Sequence, residues 1–181
     1  MRKLLKAIVW VLAVFVVVFV GGGYLLPNEV TVQRQTVINA PMEKVFALVD
    51  GFKRFNDWSP WAELDPKALY TFEGPESGVG AKMSWASGNP NVGVGNQTIT
   101  ESVANTRMVS DLDLGEMGKA IAFWELKEQG TRTSATWGFT MKLDGQIDRW
   151  TGLRMDSVWG PDYEKGLAKL KALAEKEAAG G

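Results

Sequence analysis

The hydrophobic pattern changes character four times along the chain. From Ala7 to Asn28 there is no charged residue, and Ile8 to Leu26 is almost wholly apolar. About 20 helical residues at 1.5 Å each cover the roughly 30 Å hydrocarbon core of a bilayer, so residues 7–26 predict a transmembrane helix. Trp10 and Tyr24 stand near its ends, where amphipathic rings favour the interface. Arg2, Lys3 and Lys6 make residues 1–6 a basic leader that the positive-inside rule keeps in the cytoplasm. A single-pass protein of the cell membrane is expected, with its soluble domain on the extracytoplasmic (periplasmic) side. A cleaved signal peptide is the competing reading, with Ile8–Val20 as its apolar region and Gly21–Gly23 as its small residues. No A-x-A site follows, and Tyr24-Leu25-Leu26 prolongs the run, which favours a retained anchor.

Residues 27–29 form a short polar link. Val30 to Ile38 then reads as a strand, with apolar positions at Val30, Val32 and Ile38. Asn39-Ala40-Pro41 opens a helix, proline being suited to a first helical position, and Val45, Phe46, Leu48 and Val49 give it a buried stripe. A second short helical or looped stretch carries Phe52, Phe55 and Trp58 to Ser59-Pro60-Trp61, with Trp58 and Trp61 themselves expected in a loop. Six short strands follow near 68–72, 81–87, 93–103, 108–114, 120–127 and 131–143, separated by Gly, Pro and Asn turns. That spacing predicts an antiparallel meander. The pattern is ambiguous from Gly145 to Gly160, and a final amphipathic helix runs from about Asp162 to Ala178, with Tyr163, Leu167, Leu170 and Ala174 on one face. The fold class is therefore α+β: a soluble domain over 30–178 in which a curved antiparallel sheet wraps a long C-terminal helix, followed by a tail at 179–181.

Composition removes several chemistries. Cysteine and histidine are both absent, so disulfides, thiolate nucleophiles, His- or Cys-based metal sites and Ser-His-Asp arrangements are excluded. No metal, cofactor or catalytic residue is assigned. The three leading cations belong to a total of 20 basic residues, which leaves 17 against 21 acidic ones in the rest of the chain. That sign argues against nucleic acid as a partner. Glu101, Asp111, Asp113 and Glu125 lie in strands; Asp111 and Asp113 share a face opposite Leu112 and Leu114, as on the wet side of a sheet.

Several segments in order carry a resemblance. They are Val37-Ile38-Asn39-Ala40-Pro41 with Val45-Phe46; Trp58-Ser59-Pro60-Trp61; Gly74-Pro75 with Gly78-Val79-Gly80 and Trp85; Gly130-Thr131 with Thr136-Trp137; and Gly160-Pro161-Asp162-Tyr163 leading into Leu170-Lys171. Over roughly Val30 to Glu177 the chain resembles the SRPBCC superfamily, which holds START, Bet v 1-like and polyketide cyclase/dehydrase proteins. The resemblance implies a helix-grip fold whose cavity takes lipids, sterols, polyketides or other apolar molecules, in a membrane-tethered single-domain form. It implies no shared catalytic residues.

Seven of the eight tryptophans fall in the soluble domain. Strand alternation puts Met83 and Trp85 on one face, Trp137, Phe139 and Met141 on another, and Trp124 on a third, all turned toward whatever lies between sheet and helix. Met and Trp suit an adaptable apolar pocket, and these six are the candidate cavity walls. Trp58 and Trp61, flanking Ser59-Pro60, are candidates for the cavity mouth. The competing reading makes the first set a filled core and the second a hydrophobic plug. The function expected is a membrane-tethered binding protein for an apolar small molecule or lipid. A scaffold with a filled core, or a cyclase- or hydrolase-like enzyme, are the alternatives.

Overall fold

The computed structural model describes residues 2–180. An apolar helix, α1 (Arg2–Leu25), precedes strand β1 (Glu29–Ile38) and three short helices, α2 (Met42–Val49), α3 (Phe55–Trp58) and α4 (Trp61–Leu64). Then come β2 (Leu69–Glu73), β3 (Lys82–Ala86), β4 (Val94–Val103), β5 (Arg107–Asp113), β6 (Lys119–Gln129) and β7 (Arg132–Lys142), with a 3-10 turn at Gly115–Met117. The last helix is α5 (Gln146–Ala179). The strands form one antiparallel sheet in the order β1-β7-β6-β5-β4-β3-β2. β2 to β7 are a plain meander, while β1 crosses over to pair with β7 from Glu29 opposite Lys142 to Ile38 opposite Thr133. A register shift between Ile99 and Glu101 marks a bulge in β4, which bends the sheet. The curved sheet grips α5, the helix-grip arrangement expected from the sequence.

Tyr163, Gly166, Leu167, Leu170 and Ala174 are the buried face of α5. They meet Val32 and Ile38 of β1, the stripe of α2, and the inward residues of β6 and β7 in one core. The helix starts at Gln146, not Asp162, so its N-terminal half lies where the sequence pattern was ambiguous. Gly152, Gly160 and Pro161 read locally as breakers. In the folded chain the glycines are close approaches instead. A Cβ on Gly152 would come within 2.5 Å of Leu143, and one on Gly160 would run into the Arg34 guanidinium. Pro161 removes one backbone donor, and Arg34 spans it from β1, holding Asp156 and Glu164 at 2.7 Å each on its two sides.

Trp58 and Trp61 also differ from expectation. They belong to single-turn helices, Trp58 closing α3 and Trp61 opening α4, rather than to a loop.

Among the described residues α1 is the one helix long and apolar enough to cross a membrane. It touches the domain only through its last turns. Trp150 stacks on Phe19 with centroids 5.7 Å apart and donates to the Phe19 carbonyl at 3.0 Å, while Arg149 reaches the Gly23 carbonyl at 3.3 Å.

Candidate functional site: an aromatic-walled cavity

Between the concave sheet face, α5 and the α3–α4 segment lies a cavity of about 1220 Å³. This is somewhat above the roughly 300–1,000 Å³ usual for small-molecule pockets. All eight residues singled out from the sequence border it, but Met83, Trp124, Trp137, Phe139, Met141 and Trp58 belong to the packed core beneath its surface, and only Trp85 and Trp61 are half-buried.

They do not play equal parts. Trp124 and Trp137 are cross-strand partners on β6 and β7 and stack in parallel, centroids 5.1 Å apart. Trp58 meets both edge-on, at 5.6 Å and 5.2 Å, and its Nε1 donates to the Leu48 carbonyl. At 1% exposure Trp58 is fully buried, which makes it a plug at the inner end of the cavity and not a mouth. Trp61 is half-buried and bridges Trp137, Tyr163 and Trp159. Glu63 holds its helix, α4, against α5 by pairing with Lys165 and Lys169 at 2.7 and 2.8 Å. Hydrogen bonds from Lys165 and then Lys169 pull the Glu63 carboxyl down to about 2.

Trp85 is built differently. It is half-buried at the outer part of the sheet, and its Nε1 donates to the Val92 carbonyl at 3.1 Å. Gly95, its partner on β4, leaves space for the ring; a Cβ there would collide with it. The pair Gly93 and Gly95 therefore divides its work. Gly93 turns the chain at φ 64°, whereas Gly95 lies within a strand and clears room for an indole.

Two buried polar side chains, Gln97 and Tyr163, border the cavity beyond those expected. Gln97 is 8% exposed, and its Nε2 donates to the fully buried Ser110 hydroxyl at 2.6 Å. Tyr163 is 3% exposed and lies 4.2 Å from Trp137, ring to ring. Burial, and secondarily Asp162, push the Tyr163 hydroxyl well above the ordinary tyrosine value, so it remains a protonated donor. Alternation back from Ile99 places Gln97 on the inner face.

Asp111 and Asp113 sit at the polar rim, Asp113 facing Lys119 at 3.6 Å. Glu101 and Glu125 both pair with Arg107, at 3.1 and 2.8 Å, away from the cavity lining. Among the described residues no group of three or more acidic side chains is placed to hold a metal ion. The arrangement can hold an apolar body against aromatic rings and offer it a few hydrogen-bonding groups.

A curved sheet gripping one long helix around such a cavity defines a class, and sequence comparison agrees with it. The chain belongs to the polyketide cyclase / dehydrase and lipid transport family, which it matches over residues 29–175. No curated protein matches the chain. Solved structures share the fold at low identity. A protein from Chromobacterium violaceum is 17% identical with a TM-score of 0.59, covering 83% of this chain and 99% of its own. The di-domain aromatase/cyclase StfQ of steffimycin biosynthesis is 12% identical with a TM-score of 0.62; 83% of this chain matches 52% of that one. The Aha1 dimer from Colwellia psychrerythraea is 16% identical with a TM-score of 0.54, covering 81% of this chain and 96% of that one.

Proposed function

We propose that this chain is a membrane-tethered binding protein for an apolar small molecule or lipid, held between the sheet and α5. The observation that carries this reading is the cavity itself: about 1220 Å³, faced by the half-buried Trp61, Tyr70, Trp85, Leu112, Met155 and Trp159, with Tyr163 and Gln97 as polar groups beside it. Apolar pockets with a few placed polar groups are what ligand sites look like. The family's lipid-transport members point the same way. In this reading α1 is the anchor, with its basic N-terminus in the cytoplasm and the domain on the other side. A reporter that works only outside the cytoplasm, fused after Gly181, is expected to be active; activity of a cytoplasm-dependent reporter alone reverses the orientation.

The cavity is tested on the full chain in phosphatidylcholine nanodiscs, titrated with the neutral apolar fluorophore N-phenyl-1-naphthylamine. Empty discs take up the probe by unsaturable partitioning, and the protein is expected to add a saturable component with energy transfer from tryptophan. Trp85→Ala removes a half-buried ring that would touch the ligand, worth about 0.5–1.5 kcal/mol for an aromatic contact, or roughly 2–10-fold in affinity. Its unfolding midpoint should move less than that of a variant at a fully buried tryptophan. Absence of a saturable component in the unaltered chain leaves a filled-core scaffold as the function.

A further inference from the structure

We propose that the cavity exchanges its occupant directly with the membrane leaflet from which α1 emerges, and that it takes neutral, zwitterionic or cationic amphiphiles in preference to anionic ones. This rests on the anchor and cavity readings above and adds the route and the charge class of the ligand.

The argument begins with register. β1 starts at Glu29, opposite Lys142 at the end of β7. Met141 pairs with Ala120, Ala120 with Leu112, Leu112 with Gln97, and Gln97 with Met83. One end of the sheet therefore collects the start of β1, the end of β7, the β5–β6 turn and the start of α5. The charged residues lining the cavity all come from this end. The opposite end is closed by α2 and the C-terminal part of α5, where Glu175 accepts from the Asn39 backbone. So the polar mouth opens at the end that carries the anchor.

The distance is short. Leu26, Pro27 and Asn28 alone separate α1 from β1, and three extended residues span at most about 11 Å. The first turns of α5 bind the two together. Arg149 and Trp150 hold Gly23 and Phe19 of α1, while Asp148, Thr151, Met155 and Trp159 of the same stretch line the cavity. Trp150 of α5 packs on Phe19 in the C-terminal part of α1, and an indole beside the end of an apolar helix suits a membrane interface.

Apolar side chains are exposed around this mouth without a partner in the fold. Leu69 and Val94 flank Ala86 in register, Met117 caps the β5–β6 turn, and Ile147 stands on the first turn of α5. A bilayer surface beside the anchor is the occupant whose chemistry suits them, since α1 brings it to within one short link. The rim also has a sign. Glu29, Asp111, Asp113, Glu116, Asp144 and Asp148 line the cavity against Lys119 and Lys142. A cleft dominated by one sign concentrates the opposite charge and repels its own, so an anionic headgroup entering here is opposed.

The test uses the full chain in phosphatidylcholine vesicles containing a small fraction of phosphatidylcholine with a diazirine at the acyl terminus. After irradiation, peptide mass spectrometry is expected to find adducts on cavity-wall segments around Trp85, Leu112 and Met155–Trp159 as well as on α1. The same diazirine chain on phosphatidylglycerol should label those walls at least about threefold less, as expected for a like-charged rim. Glu116→Lys together with Asp144→Lys, both exposed, should remove most of that difference. Adducts confined to α1 and the outer surface, with saturable N-phenyl-1-naphthylamine binding intact, overturn membrane loading and leave the cavity reading standing. Loss of both overturns the two together. Equal wall labelling by the two lipids overturns the charge preference.

Discussion

Replacing Trp137 by alanine is expected to lower the thermal unfolding midpoint of the soluble domain by about 6–20 °C, measured by near-ultraviolet circular dichroism on the full chain in nanodiscs. Large aromatic deletions in a core cost about 3–5 kcal/mol, and about 2–4 °C accompanies each kcal/mol at this size. Trp137 should sit at the upper part of that range because so much is arranged around it. It is 4% exposed, stacks on Trp124, takes Trp58 and Trp61 on its edges, and packs 4.2 Å from Tyr163. On the far side Gly166 is small enough to let α5 lie against it; a Cβ there would stand 2.6 Å from the Trp137 ring. Because Trp124 loses its stacking partner at the same time, Trp124→Ala and Trp137→Ala should combine to less than the sum of the two. A midpoint shift under about 3 °C for Trp137→Ala, which corresponds to roughly 1 kcal/mol, contradicts this account of the core.

Trp58→Ala is expected to have an effect of the same order, about 3–5 kcal/mol, and its companion Trp58→Phe separates the contributions. Phenylalanine keeps most of the apolar contact with Trp124 and Trp137 but removes the Nε1 donor that satisfies the Leu48 carbonyl. A buried acceptor left without its partner costs about 1–3 kcal/mol, so Trp58→Phe should fall clearly between the wild type and Trp58→Ala. Trp61→Ala should be milder than Trp58→Ala, since Trp61 is only half-buried. The series also decides what Trp58 does for the cavity. As a plug at the inner end it should leave the on-rate of a neutral probe unchanged at temperatures where the variant is folded. A faster on-rate with little loss of stability would restore Trp58 to the mouth.

Much of this molecule was legible in local pattern. Each meander strand was readable because period-two alternation and turn residues are local properties. The apolar run that became α1, the stripe of α2 and the inward faces of Met83, Trp124, Trp137 and Phe139 follow from the same short-range geometry. Alternation fixes a face as soon as the strand forms, which is why all eight candidates border the cavity.

Other features depended on what lies across the fold. Gly152, Gly160 and Pro161 look like helix breakers by themselves; only Leu143 and Arg34, brought over from β7's end and β1, turn them into places of contact within a continuous helix. Pattern could place Trp58 and Trp61 beside the cavity but could not tell a plug from a mouth, because that depends on whether Trp124 and Trp137 already occupy the inner end. The same holds for the mouth's position. Nothing local relates Glu29 to Asp113 or Asp148; the cross-strand register and the return of α5 gather them at the end of the sheet next to α1. The sequence by itself determined which residues face inward, since that is decided by neighbours two or four positions away. Tertiary structure alone decided where the enclosed space remains open, because that is a property of surfaces contributed by segments more than a hundred residues apart.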